Sequence, residues 1–547
     1  MMTTTEKTTY KNAIAAAMDS GAYIKFVEMH TEMRSEMEAH NQCMFTYWHR
    51  LLLVVFENML RGQGSQYACV TIPYFNWIVA SARSTAGTCT SFADCISITT
   101  ELGGSSTGVQ RTLAINGISN SGRCVTTFPL NRFCQLSSRW GSTCAQCVPR
   151  SDWSRVKVPS TTSYPSVRLQ LFNGRNIGQM SPLVEQGCHN NVHANFGSTM
   201  GTFAAPSDPL FWSHHAMVDA LHTIFHKCRV GTSKLTSTQK AASVGWSSCA
   251  RRDTGTFRPT DTITMRTGER GVNPIPGWTD PIIGKYFTGV PTKFADLMDT
   301  GDLGASSYTY QFSGQLATLY SQCDASPTTR KLEEEMENSV TNGTSKCSVT
   351  PDETHESGNV YDNSSSSHGS NDNYLQVVAL DNYGKPIDAN TPIDDYASED
   401  EKRVIDWYDQ TIDAMGGDSH ENMADLERQA CMFEHVCLGG TQDYSPEFKA
   451  IWKVKEPRCK TIVDAIVNGS QTIIYDSWRE DMEATFGCPE PTSLTNTSSF
   501  SGSWSSSDDG TVSFPVGSRE FADHSNDTIT LDQDYVADSE TTSGTTW

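Results

Sequence analysis

FVEMHTEMRSEMEAHNQCMFTYWHRLLLVVFE, residues 26–57, carries His30, His40 and His49 on a stretch with helix-like apolar spacing. Roughly 140 residues later, GCHNNVHANFG (187–197) and DPLFWSHHAMVDALH (208–222) add His189, His193 and His215. Apolar periodicity predicts helices over 20–39, 47–62, 183–196 and 209–227. SerAspPro at 207–209 suits the start of the last, with Ser or Asp capping and Pro in the first turn. On a helix, His189 and His193 project from one face with Cβ atoms about 5–6 Å apart, a two-point chelate for one metal. His215, at the head of the following helix, is the natural third ligand. His30 is the only histidine upstream of His40, so it has no competitor as the third ligand on that side. Two sets of three imidazoles point to a binuclear metalloenzyme.

Residue types around the triads narrow the metal. A zinc protease would place Glu directly after the first His as general base, and position 190 is Asn. Carboxylates do not accompany either triad in ligand-like spacing, unlike the Glu-rich di-iron pattern. Neutral imidazoles suit copper, zinc, iron and nickel, and an all-imidazole site with open positions favours copper. The second HxxxH, His222 and His226, lacks matching surroundings and reads as structural.

The 547 residues suffice for a sizeable core and more than one unit. Charge divides sharply. Residues 1–325 contain 27 Lys and Arg against 21 Asp and Glu, whereas 326–547 contain 14 against 42. No basic run or aromatic-basic patch stands out, so nucleic acid is not an expected partner. No run of about 18 apolar residues predicts a membrane span. Of 17 cysteines, 12 precede residue 326, and Cys89, Cys95, Cys124, Cys134, Cys144 and Cys147 lie in a Gly/Ser/Thr-rich stretch. This reads as a disulfide-stapled insertion over about 80–165 and implies an oxidising compartment, with a zinc module on the Cys144–Cys147 CxxC as the alternative. Sequons at Asn342, Asn363, Asn468, Asn496 and Asn526 agree with secretion, although residues 1–21 lack the apolar core of a signal peptide.

With these residues in place, the chain resembles the tyrosinase family of type-3 copper proteins, which includes catechol oxidases and haemocyanins. FTYWHRLLLVVFE resembles the family's first copper signature, and HisAsnAsnValHis followed by DPLFWSHHAMVD resembles the second. TIPYFNW (71–77) is similar to its Pro-Tyr-Trp-Asp-Trp segment, and TyrThrTyr (308–310) to its closing tyrosine motif. The resemblance spans about 20–325. It implies a mainly α fold, a four-helix bundle holding a dicopper centre, with O₂ as co-substrate. His30, His40 and His49 would bind one copper; His189, His193 and His215 would bind the other. The implied activity is ortho-hydroxylation of monophenols, oxidation of o-diphenols to o-quinones, or both, on small phenols or tyrosine side chains. Oxygen carriage without phenol turnover is the alternative, and a binding protein that has lost its metal is a third reading.

The resemblance also assigns supporting residues. Asn190, with Glu185 as the available carboxylate, would hold a basic water for the phenol proton. Phe203 would lie over the second copper and tilt the enzyme toward diphenols. His214 would be a neighbour rather than a ligand, and Asp208, Asp219 and Glu57 would orient helices. Where many relatives carry a Cys cross-linked to the second ligand, this chain has Glu38, so no such bond is expected.

Beyond the core, 326–374 is expected to be a low-complexity linker, 375–488 a separate small domain, and 489–547 a Ser/Thr-rich disordered tail. Ser398 and Glu401 form a capping-box pattern, and Cys431, Cys437, Cys459 and Cys488 are positioned to staple the small domain. The charge division suggests that this acidic extension docks on the basic core and shields the copper pocket.

Overall fold

A computed structural model describes residues 2–104, 106–323, 378–383, 385–387 and 391–488. The proposed linker 326–374, the tail 489–547 and four of the five sequons lie outside these described residues. Among the described residues no helix is long and apolar enough to cross a membrane.

Each expected helix forms, with a local departure that matters for the site. The 20–39 segment divides into Tyr23–Thr31 and Met33–Ala39. Glu32, extended between them, caps the second piece by accepting from the Arg34 and Ser35 N–H groups at 3.1 and 2.9 Å. His30 therefore sits in the last turn of one helix and His40 at the C-terminal cap of the next. The Phe45–Arg61 helix holds His49 one turn in, its apolar side chains almost wholly buried. An N-terminal helix, Thr4–Asp19, opens with a Thr3/Glu6 capping box and packs Tyr10, Ile14 and Ala17 into the same core.

The 183–196 segment is interrupted. Ile177–Val184 and Asn190–Phe196 are α-helical, and Glu185–His189 between them forms a wide π turn. Gly187 permits it: a Cβ there would lie 2.3 Å from Gln170 Oε1, the same atom that accepts from the Cys188 N–H. The helix Leu210–Arg229 begins beside Asp208, whose Oδ1 accepts from the Leu210 N–H at 3.0 Å. These helical segments meet in one mainly α core.

The Cys-rich insertion is a β-hairpin, Gly108–Ile115 against Ile118–Val125, with Val148–Arg150 added to the second strand. Its turn, Asn116-Gly117, has both residues at positive φ, as a two-residue hairpin requires. Disulfides Cys89–Cys95, Cys124–Cys147 and Cys134–Cys144 staple it. The CxxC pair is thus split between two bridges, which excludes the zinc module. Cys431–Cys459 and Cys437–Cys488 staple the C-terminal part as expected. This density of disulfides fits a protein outside the reducing cytosol.

The C-terminal part is not a separate domain. The described residues up to 488 belong to one compact unit. Helix Glu399–Ala414, opened by the Ser398/Glu401 capping box, puts Val404, Trp407 and Tyr408 into the same apolar cluster as the copper-domain helices. Backbone pairing joins Gln311–Phe312 to Val378–Ala379 as parallel strands. Side-chain bonds tie Ser166 to Glu427 and the Ser160 N–H to Glu434, each at 2.7 Å. The acidic composition gave no hint of this, because it does not show which apolar side chains, and which hydrogen-bonded or paired charges such as Glu427 and Glu434, are buried against the core.

Glu434 carries a pH consequence. Burial pushes its carboxyl up to about 7, partly offset by the Ser160 N–H. The folded state then holds a proton that an unfolded Glu, of pKa about 4.3, has released. This contribution to stability is complete below about 4.3 and is lost as pH rises through about 7. Denaturant unfolding across that window should show a falling midpoint, and Glu434→Gln, which keeps an acceptor for Ser160, should flatten that part of the slope.

Candidate metal centre

All six predicted histidines converge in the core, each 0–1% exposed. His30, His40 and His49 form one cluster; His189, His193, His214 and His215 form another, the candidate ligand atoms within each lying no more than 4.8 Å apart. The clusters touch: the His49 and His215 rings stack at 4.2 Å and 15°. Phe45, one turn before His49, places its ring 4.7 Å from both His49 and His189. No carboxylate belongs to either group among the described residues.

Burial, with the neighbouring imidazoles adding to it for most, keeps these rings neutral. His30 is driven down to about 4, and His40, His49, His189, His193 and His215 lie well below the usual histidine value. A neutral imidazole has one N–H and one lone pair, so the partner of Nδ1 decides whether Nε2 can ligate. Carbonyl oxygens accept from Nδ1 of His30 (Phe203, 2.8 Å), His49 (Phe45, 2.9 Å) and His193 (Met200, 2.6 Å). His189 Nδ1 donates to the Asn190 amide oxygen at 2.9 Å and to the Glu185 carbonyl at 3.3 Å. In each ring Nε2 is left as the lone pair.

Those lone pairs fit a metal. Nε2 of His30, His40, His49 and His189 is buried without a hydrogen-bond partner, a costly arrangement unless a cation takes the lone pairs. His193 Nε2 and His215 Nε2 stand 3.3 Å apart. Two nitrogens each about 2.0–2.1 Å from one tetrahedral metal would be separated by about 3.3 Å. Two all-imidazole sets side by side suit a pair of copper ions.

His214 stands among the second cluster but is differently held. Trp77 Nε1, which can only donate, points at His214 Nδ1 at 3.3 Å. The neutral ring then carries its proton on Nε2 and offers no lone pair there. His222 and His226 are buried outside both clusters.

The supporting residues are placed as follows. Asp208 pairs with buried Arg150 at 2.7 and 2.8 Å. Asp219 pairs with buried Arg50 at 2.6 Å and accepts from the Tyr308 and Tyr310 hydroxyls. Glu57 accepts from the Ile72 N–H at 2.9 Å. Asp219 thus joins the helices of His49 and His215, Asp208 ties the head of Leu210–Arg229 to the Val148–Arg150 strand, and Glu57 ties its helix to a loop. Glu38 is buried against Thr264 and Arg251.

One expectation needs correction, and the Glu185 and Asn190 side chains have partners that the sequence does not show. The Phe203 ring stacks on His40 at 5.2 Å and lies 6.3 Å from His30, so it covers the first triad and not the second; its carbonyl is already engaged by His30 Nδ1, which draws the ring to that side. Glu185 Oε1 accepts from the Asn41 N–H at 2.6 Å, its Oε2 is buried without a hydrogen-bond partner, and the Asn190 amide oxygen accepts from His189.

Sequence reasoning also missed Trp452, which ends the short helix Pro446–Trp452. Its ring centre is 5.0 Å from His40, 5.1 Å from His193 and 5.0 Å from Phe203. Its indole N–H donates to the Gly201 carbonyl at 2.9 Å, and its own carbonyl accepts from Asn41 Nδ2 at 3.1 Å. With Tyr444 and Phe448 it forms an apolar cluster apart from the main core. No motif marks FKAIW, so only packing reveals it.

Residues 20–227 match the family described as the common central domain of tyrosinase. A tyrosinase from Streptomyces lincolnensis is 30% identical over 237 residues, covering 40% of this chain and 78% of that protein. Tyrosinase P from Aspergillus terreus is 27% identical over 236 residues, covering 37% and 63%. A polyphenol oxidase structure from Thermothelomyces thermophila aligns over 57% of this chain and 87% of its own, at 18% identity and a TM-score of 0.38. Paired imidazole clusters and this similarity agree: the chain belongs to the tyrosinase family, and is a copper-dependent oxidoreductase of phenols.

Proposed function

We propose that this enzyme oxidises o-diphenols to o-quinones in preference to hydroxylating monophenols, with His30, His40 and His49 holding one copper and His189, His193 and His215 the other. Copper bound there would supply the redox couple through which a diphenol's electrons reach O₂. The protein's own residues do the rest. Carbonyls on Nδ1 orient the imidazoles, and the aromatic walls of Phe45 and Phe203 keep the pocket dry and shaped for a ring.

The observation that carries the diphenol preference is the engagement of Glu185 and Asn190. A monophenol of pKa about 10 needs a base to ionise at neutral pH. Glu185 directs one oxygen to Asn41, and Asn190 directs its amide oxygen to His189. With the Asn190 amide oxygen committed to His189, only the unpartnered Glu185 Oε2 is left to accept from a water, one acceptor fewer than the family resemblance implied. Copper-loaded protein assayed in parallel on a catechol and on the matching monophenol should turn over the catechol far faster. Comparable initial rates on the two would overturn this preference.

In the same reading the C-terminal part shields the pocket, with Trp452 as the covering ring. Support comes from its distances to His40 and His193 and from the two hydrogen bonds that seat it. The seating contacts are apolar and hydrogen-bonded, so the shield should respond weakly to salt. Disulfides and the exposed sequon Asn468 favour a secreted glycoprotein.

A further inference from the structure

His40 is held differently from the other two histidines of its triad. His30, His49, His189 and His193 each fix their ring through Nδ1, whereas neither nitrogen of His40 makes a hydrogen bond. The nearest acid, Glu36, is 3.8 Å from its Nδ1. Ring contacts with His30, His49, Phe45, Phe203 and Trp452 aside, its position is set by its backbone. That backbone closes the Met33–Ala39 helix, gives its carbonyl to Arg252 at 3.1 Å, and then turns through Asn41 at φ +53°. A non-glycine residue in the left-handed region persists only where its surroundings hold it.

The Asn41 backbone N–H is held by Glu185, 144 residues away, whose Oε1 accepts it at 2.6 Å, while the Asn41 side chain donates to the Trp452 carbonyl at 3.1 Å. Glu185 is 1% exposed and opens the π turn, and its own carbonyl accepts from His189 Nδ1. One residue therefore supports a ligand of each triad, by its carboxylate on one side and its backbone on the other. Contacts buried this deeply are expensive to leave unmade.

We propose that Glu185 is a positioning residue that sets the spacing of the two metals, by holding the turn behind His40 against the turn that carries His189. This rests on the dicopper assignment but goes beyond the substrate reading, because the role needs a hydrogen-bond acceptor and no proton transfer.

The test is copper stoichiometry and Cu(II) electron paramagnetic resonance on the full chain, comparing wild type with Glu185→Gln, Glu185→Ala and Glu185→Asp. Two closely spaced, coupled Cu(II) ions give no signal; displaced ions do. Glu185→Gln keeps an acceptor of the same reach and should match wild type in copper content and silence. Glu185→Ala should either fall from about two coppers per chain to about one or retain both as a visible signal. If the alanine variant fails to fold, Glu185→Asp, too short to reach Asn41, should give the same result. An alanine or aspartate variant with two silent coppers overturns the proposal, as does a glutamine variant that behaves like alanine. A wild-type chain binding fewer than two coppers would count against the dicopper assignment itself.

Discussion

Replacing Trp452 by Ala should raise catechol turnover by the copper-loaded full chain by roughly 30-fold, with copper content unchanged. The indole is 1% exposed and packs on His40, His193 and Phe203. Truncating a buried Trp costs about 3–5 kcal/mol in a packed core. At least about 2 kcal/mol of that should fall on the closed state alone, because the side chain loses these contacts when the segment lifts. That difference corresponds to roughly 30-fold in the open fraction. Trp452→Phe, which preserves an apolar ring, should change turnover little. A Trp452→Ala enzyme no faster than wild type would remove the shielding role. The segment can lift without opening the main core, since Tyr444, Phe448 and Trp452 form their own apolar cluster. Cleavage is then not the only route to an open pocket.

Asp219→Ala is the second large effect, on stability. Arg50 follows His49 directly, and Asp219 lies one turn beyond His215, so their 2.6 Å ion pair locks the two ligand-bearing helices together. Arg50 is fully buried and also donates to the Leu297 and Met298 carbonyls. Removing the carboxylate leaves a buried guanidinium unpaired and strips the acceptor from the Tyr308 and Tyr310 hydroxyls. Breaking such a pair costs about 3–5 kcal/mol. Chemical denaturation of the metal-free variant should register that loss. A change below about 1 kcal/mol would mean that the pair is not what joins the helices.

Much of the site was legible because its key spacings are local. His189 and His193 share a face through helical periodicity, and the Ser398/Glu401 capping box follows from a rule spanning a few residues. The errors share a cause as well. Phe203 was assigned to the second copper by its distance along the chain from His193, but the loop that carries it crosses to the first triad. Glu185 was paired with Asn190 as the carboxylate available in that stretch, and its bond to the Asn41 N–H, 144 residues away, has no local signal. The 375–488 segment looked separate because net charge, the visible signal, does not show which apolar side chains and which hydrogen-bonded acids are buried against the core.

By itself, the sequence determined that two groups of imidazoles, without carboxylates at ligand-like spacing, are available for a pair of metal ions. Those are properties of residue type and of spacing within single helices. Tertiary structure alone decided which partners hold Nδ1 of His30, His49, His189 and His193, that Trp77 donates to His214, that Glu185 accepts from Asn41 and that Trp452 packs on His40 and His193. Each of these depends on a hydrogen bond or ring contact made where packing brings distant or loop segments together. Such contacts are fixed by the packing of whole elements, to which no local pattern is sensitive.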